Sequence, residues 1–163
     1  MRHASTPHGT TPMTAKRIDG KAKAEQLAES ITAQTATLVA EHGIKPGLAV
    51  VIIGEDPASQ VYVRNKKRRA EACGFHSVQH SLPEDVAQDD VLRLIDELNN
   101  DDAIHGILVQ LPLPEHLDEQ TITQSISPAK DVDGFHPRSV ADLVLGRASF
   151  VPCTPLGLSL IHI

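Results

Sequence analysis

The segment Ser59-Gln60-Val61-Tyr62-Val63-Arg64-Asn65-Lys66 puts the chain's single tyrosine one helical turn before a lysine. Aromatic residues are otherwise scarce, with no tryptophan and 3 phenylalanines, so this tyrosine is poor evidence of core filler. At about 100° per helical residue, Ser59, Tyr62, Val63, Lys66, Ala70 and Cys73 share one arc. Arg64, Lys67, Arg68 and Glu71 point elsewhere. Lys66 is thus the one cation of its cluster that projects among small and apolar side chains. Lost hydration and nearby positive charge both favour a neutral amine in such a setting. A lysine held that way can exchange protons near neutral pH.

Two further groups have residue types suited to join it. Gln110 is a polar side chain directly after the apolar run Ile104-His105-Gly106-Ile107-Leu108-Val109, carrying both donors and an acceptor. Beside Lys66 it would accept from the amine and orient it, although taken alone it reads as a glutamine that ends a strand. Pro112 and Pro114 after it argue for a rigid wall. In Lys130-Asp131-Val132-Asp133-Gly134-Phe135-His136-Pro137, two carboxylates flank a small apolar residue before a glycine that permits a sharp turn. A carboxylate there suits the amino and ring N–H groups of a heteroaromatic ligand; a capping turn is the plainer reading. The loop begins like a calcium loop but lacks the later ligands and the distal glutamate.

Composition narrows the field. The 163 residues suffice for one domain, and a formal net charge of −6 gives no general attraction to nucleic acid or an anionic membrane. The cations from Arg64 to Arg69 have no aromatic platform for nucleic acid and read as a solvated helix face. His76 and His80 fall on an expected strand, without helical metal spacing. Cys73 and Cys153 make neither a disulfide framework nor a metal pair, which suits a reducing cytoplasm. No apolar run approaches the roughly 20 residues of a membrane span.

The elements that must carry these residues alternate. Asp19 is expected to cap a helix to about His42, with Ala24, Leu27, Ala28, Ile31, Leu38 and Val39 inward and Gly43 as its stop. Leu48 to Gly54 reads as a strand covered on both faces. Ser59 is expected to cap the second helix and Gly74 to end it. Phe75 to His80 and Ile104 to Val109 read as strands, and Val91, Leu92, Leu94, Ile95 and Leu98 mark a helix between them. Short helices are expected near Leu117 to Ile126 and Ser139 to Leu145, and Thr154-Pro155 announces another. The alternation predicts a three-layer α/β/α domain with a mostly parallel sheet. Residues 1–13 read as a flexible tail, with Met13 an alternative start.

The ordered set is more specific than its parts. Ser59-x-x-Tyr62-Val63-x-x-Lys66, Gly106-Ile107-Leu108-Val109-Gln110-Leu111-Pro112-Leu113-Pro114, Lys130 to Pro137, and Pro152-Cys153-Thr154-Pro155-x-Gly157 closely resemble the bifunctional FolD-type family, methylenetetrahydrofolate dehydrogenase/methenyltetrahydrofolate cyclohydrolase. The resemblance runs from about Ala15 to Gly157. It implies an NADP-linked oxidation of 5,10-methylene- to 5,10-methenyl-tetrahydrofolate, then hydrolysis to 10-formyl-tetrahydrofolate in one-carbon metabolism. It makes Lys66 the catalytic lysine and Gln110 its partner, with Tyr62 stacking on the folate and Asp133 holding the pterin edge. Ser59, Tyr62, Val63, Arg64, Asn65, Lys66, Val109, Gln110, Leu111 and Asp133 would line the folate site. It also implies a cytoplasmic homodimer when full length.

One large departure stands out. The family carries a Rossmann-type NADP domain after the Pro-Cys-Thr-Pro-x-Gly motif, and no G-x-G-x-x-G is present in these 163 residues. The expectation is a truncated catalytic domain, inactive as a dehydrogenase; the alternative is a folate-binding module without turnover. The last six residues, Leu158 to Ile163, match a translated sequencing-library adaptor, so native sequence is expected to end near Gly157.

Overall fold

A computed structural model describes residues 18–147 and 150–162; the expected tail at 1–13 lies outside them. The heart is β1, Gly47–Ile53, whose apolar run is almost wholly buried. On one side it pairs in parallel with β2, His76–Leu82, from Gly47 opposite His76 to Ile53 opposite Leu82. On the other it pairs in parallel with β3, Gly106–Val109, from Leu48 opposite Gly106 to Val51 opposite Val109. The sheet order is β2-β1-β3.

Strand alternation sends β1 side chains to both faces. Ala49, Val51 and Ile53 join the main core with Val91, Ile95 and Leu98 of α3, Gln88–Asn100, and Ile122 of α4, Glu119–Ser125. Val50 and Ile52 join Leu108 and Val63, the latter on α2, Pro57–Ala72. Helices therefore cover both faces of a parallel sheet, as the alternating pattern requires.

Several expected boundaries move. The first helix, α1, is Gly20–His42, capped by Asp19 and ended by Gly43 in the left-handed conformation, as expected. Its apolar stripe is not a core stripe, however. Ala24 is exposed, Leu27 is 46% and Val39 42% exposed, Ala28, Ile31 and Leu38 are only half-buried, and the one buried residue is Thr35. α1 instead meets the end of α2, where Cys73 Sγ reaches its Ala28 carbonyl at 3.8 Å.

Asp56, not Ser59, caps α2: its carboxylate accepts from the Ser59 N–H at 2.7 Å. Pro57 lacks an N–H and has a fixed φ, so it opens the helix three residues earlier. β2 extends to Leu82 because it follows β1 over its full length. β3 starts later than Ile104, whose N–H closes a turn onto Asp101. A fifth helix, α5, is Pro137–Val144, and a sixth, α6, Cys153–His162, begins one residue before Thr154, which is therefore not its cap.

Candidate active site

Two of the chemistry-bearing segments leave the carboxyl ends of β1 and β3, where parallel α/β sheets gather their sites. β1 passes through Gly54 and Asp56 into α2, which carries Lys66 on its third turn. β3 passes directly into Gln110, whose backbone N–H donates to the Val51 carbonyl at 2.8 Å. That bond extends the ladder by one residue and fixes where the amide side chain starts.

Lys66 Nζ lies 2.8 Å from Gln110 Oε1. The direction of the amide is set on its other side, where Nε2 donates to the Leu111 carbonyl at 2.7 Å. The oxygen is therefore the atom presented to the amine. Leu111 precedes a cis peptide to Pro112. The Lys66 side chain is half-buried, in keeping with its place on the arc shared with buried Ser59, Val63, Ala70 and Cys73.

The acidic loop divides its two carboxylates between two tasks. Asp131 is 2% exposed and accepts four hydrogen bonds. These come from the backbone N–H groups of Gly134 (3.0 Å), Phe135 (3.3 Å) and His136 (2.9 Å), and from the Ser139 hydroxyl (2.8 Å). Gly134 turns with φ 68°, a conformation that costs glycine little. Asp133, two residues from Asp131, is half-buried and accepts no hydrogen bond among the described residues. Burial pushes its carboxyl above the ordinary carboxylate range, the Lys66 charge pulls it back, and the Asp131 charge adds to the rise. Lys66 and Asp133 thus feel each other, yet no ion pair joins them among the described residues. An amine and an amide oxygen from two segments meet, and an unengaged carboxyl on a third lies near enough to feel the amine's charge.

A family model described as the tetrahydrofolate dehydrogenase/cyclohydrolase catalytic domain matches residues 18–133. The chain belongs to this family. The bifunctional protein FolD of Brucella anthropi is 58% identical over 145 residues, which are 88% of this chain and 48% of that protein. The crystal structure of the bifunctional FolD enzyme from Campylobacter jejuni superposes with a TM-score of 0.86 at 46% identity, covering 88% of this chain and 51% of that one. The FolD of Trypanosoma brucei, solved with NADP cofactor and inhibitor, gives 0.85 at 38% identity, covering 89% and 50%. The chain spans about half the length of the curated relatives it matches.

The tetrahydrofolate dehydrogenase/cyclohydrolase residues expected from sequence do not all sit alike. Lys66 and Gln110 are in contact, and Asp133 feels the Lys66 charge without bonding to it. Tyr62 lies at the rim of its arc and is 62% exposed, so its ring takes no part in the core. Arg64 and Asn65 are exposed, and Asn65 Oδ1 accepts from Arg68 at 3.3 Å. Val63 and Val109 are core residues in clusters on opposite faces of the sheet, and Ser59 is buried in the first turn of α2. Leu111 is half-buried and takes part through its carbonyl.

Three supporting residues escaped sequence reasoning. Lys130 Nζ donates to the Leu98 and Asp101 carbonyls at 3.0 and 2.8 Å, neutralising the end of α3. Val132 packs against Gly106 so closely that a Cβ there would meet Val132 Cγ1 at 2.5 Å. Ser139 is a polar residue buried on a short helix, and that mismatch was its only signal.

The residues present do not fit NADP. The turn after β1 carries Glu55 and Asp56, and the Asp56 carboxylate already occupies the Ser59 amide, a donor that a pyrophosphate would need. β3 leads into prolines rather than a helix. No step is assigned here to that cofactor.

Proposed function

We propose that this chain is the folate-binding catalytic half of a methylenetetrahydrofolate dehydrogenase/methenyltetrahydrofolate cyclohydrolase. The observation that carries the reading is the 2.8 Å contact between Lys66 Nζ and a Gln110 oxygen whose direction the Leu111 carbonyl fixes. In hydrolysis, water bonds to the methenyl carbon as Lys66, in its neutral amine form, takes the water proton; the carbon's bond to N5 then breaks as the hydroxyl proton passes to N5, leaving the 10-formyl product. Gln110 aims the amine. Asp133 accepts from the amino and ring N–H groups of the pterin, for which its unengaged carboxyl is suited. Tyr62 offers the flat ring a flat face. The hydride step and its NADP are assigned to the half of the relatives that these 163 residues do not span.

A second reading, a folate-binding module without turnover, is favoured by the exposure of Tyr62, since an open cleft positions reactants poorly. Titration with 5-formyl-tetrahydrofolate, run beside an assay for decay of methenyl-tetrahydrofolate absorbance, separates them. Binding with hydrolysis supports the first reading, binding alone the second, and binding of neither sinks both.

The wider setting is part of the same reading: a cytoplasmic protein of one-carbon metabolism feeding purine biosynthesis, homodimeric at full length. Its cytoplasmic part is supported by two free cysteines, Cys73 and Cys153. Residues 1–13 would be a tail, 14–157 the folate domain and 158–163 a non-native end. Genomic sequence reading through the last six codons unchanged would remove that last assignment.

A further inference from the structure

We infer that Asp131 is the positioning residue of this site: its grip on residues 134–139 presents the Asp133 carboxyl to the ligand, an inference that rests on the folate reading above. The loop is held at every point except Asp133. Before it, Lys130 is tied to the end of α3 through two carbonyls, and the Lys130 carbonyl accepts from the Ile107 N–H at 2.8 Å. Asp131 itself forms a parallel bridge with Ile107. Val132 is pinned against Gly106. After it, Gly134, Phe135 and His136 all point their N–H groups at Asp131, and the Ser139 hydroxyl joins them from α5.

A capping turn would account for the bonds to Gly134 through His136. It does not account for the attachment to β3. Ile107 stands three residues before Gln110 on the same continuous chain, so Asp131 links the strand that aims Lys66 to the loop that bears Asp133. The backbone of Asp131 is thus fixed to β3 while its carboxylate holds residues 134–139, and together they set where the free carboxyl stands relative to the amide. Among the loop's acidic side chains, Asp133 alone is left without a hydrogen bond among the described residues, which is what a ligand-facing acceptor on a rigid support requires.

The test uses the 163-residue chain, with carbon-detected NMR titration of the Asp133 carboxyl and binding of 5-formyl-tetrahydrofolate. Asp131→Asn places an amide N–H₂ opposite the donors of His136 and Ser139. It should weaken binding about tenfold or more, the scale of a lost charge-assisted hydrogen bond. Ser139→Ala keeps every charge and removes one tie. In it the Asp133 midpoint should fall towards the ordinary carboxylate range, because a loosened loop lets water in rather than deleting a charge. Ser139→Ala with an unchanged Asp133 midpoint overturns the inference, even if Asp131→Asn does not fold. So does a folded Asp131→Asn with wild-type affinity. If the wild-type chain binds no folate, the functional reading fails, while the Ser139→Ala titration still decides the positioning role.

Discussion

The Lys66 amine and the Gln110 side-chain oxygen meet at 2.8 Å across the junction of a helix and a strand end. Neither partner is free to choose another geometry. Gln110 is fixed by its own N–H on Val51 and its amide on Leu111, and Lys66 rises from a turn whose neighbours Val63 and Ala70 are buried. A flexible four-carbon side chain is thereby held at a defined end point, and that ordering entropy is already spent before a ligand arrives.

If Lys66 takes the proton from water, its replacement removes the base rather than the binding site. Lys66→Met or Lys66→Arg in a full-length enzyme should lower cyclohydrolase turnover by about 10²–10⁴-fold, the span general bases supply. Folate binding should change far less. Near-normal hydrolysis by either variant, measured as decay of methenyl absorbance, refutes the role.

Asp133 should leave a signature in the pH dependence of stability. Its carboxyl is raised above the ordinary 3.8, chiefly by burial, so the folded state binds its proton more tightly than the unfolded state. Ionisation therefore costs stability, and the loss develops as pH rises from about that ordinary value through the raised folded midpoint. Asp133→Asn should melt higher than wild type at neutral pH, with the gap closing in acid where both chains carry no charge there. Melting curves that stay parallel from acid to neutral pH would contradict this.

Asp56 should behave in the opposite sense. The Ser59 N–H, then the Ser59 hydroxyl, hold its carboxyl below the ordinary range, so its cap stabilises the fold above that range and is lost as pH falls through the lowered midpoint. Asp56→Ala should melt below wild type at neutral pH and converge with it in strong acid. The two aspartates thus separate by sign. A capping carboxylate stabilises when charged, whereas one kept open for a ligand destabilises until the ligand comes. If Asp56→Ala melts like wild type at neutral pH, the cap contributes nothing and the contrast fails.

That contrast also marks what the sequence made legible. The alternation of apolar runs and helical stripes was enough for the parallel sheet, because β1 is buried on both faces and its composition says so. The arc of Ser59, Val63, Lys66, Ala70 and Cys73 was legible because one helix supplies it. Asp131 and Asp133 are equivalent by type and spacing, and only the fold of the loop decides which is consumed by backbone donors and which stays open. The exposed stripe of α1 was misread for a related reason: periodicity reports an apolar face but not whether a neighbouring layer has room for it. Asp56 was overlooked as a cap because Ser59, three residues later, matches the same preference.

Gly106 offers a test that joins packing to the site. It opens β3 opposite Leu48, and a Cβ on it would fall 2.5 Å from Val132 Cγ1 and 3.5 Å from Leu48 Cδ1. Leu48 is an ordinary contact, so the strain falls on Val132. Val132 lies between Asp131, anchored by four hydrogen bonds, and Asp133, which has none among the described residues. The loop's displacement should pass to the side that is not anchored. Gly106→Ala should therefore cost about 1–3 kcal/mol of stability by overpacking. It should also weaken 5-formyl-tetrahydrofolate binding by more than an equally destabilising core change. Ile95→Ala, a cavity in the main cluster worth about 2–5 kcal/mol, is the control, since α3 packs on the face of the sheet away from Lys66. Equal losses of affinity in the two variants would mean that general loosening, not the path from Gly106 through Val132 to Asp133, controls the site.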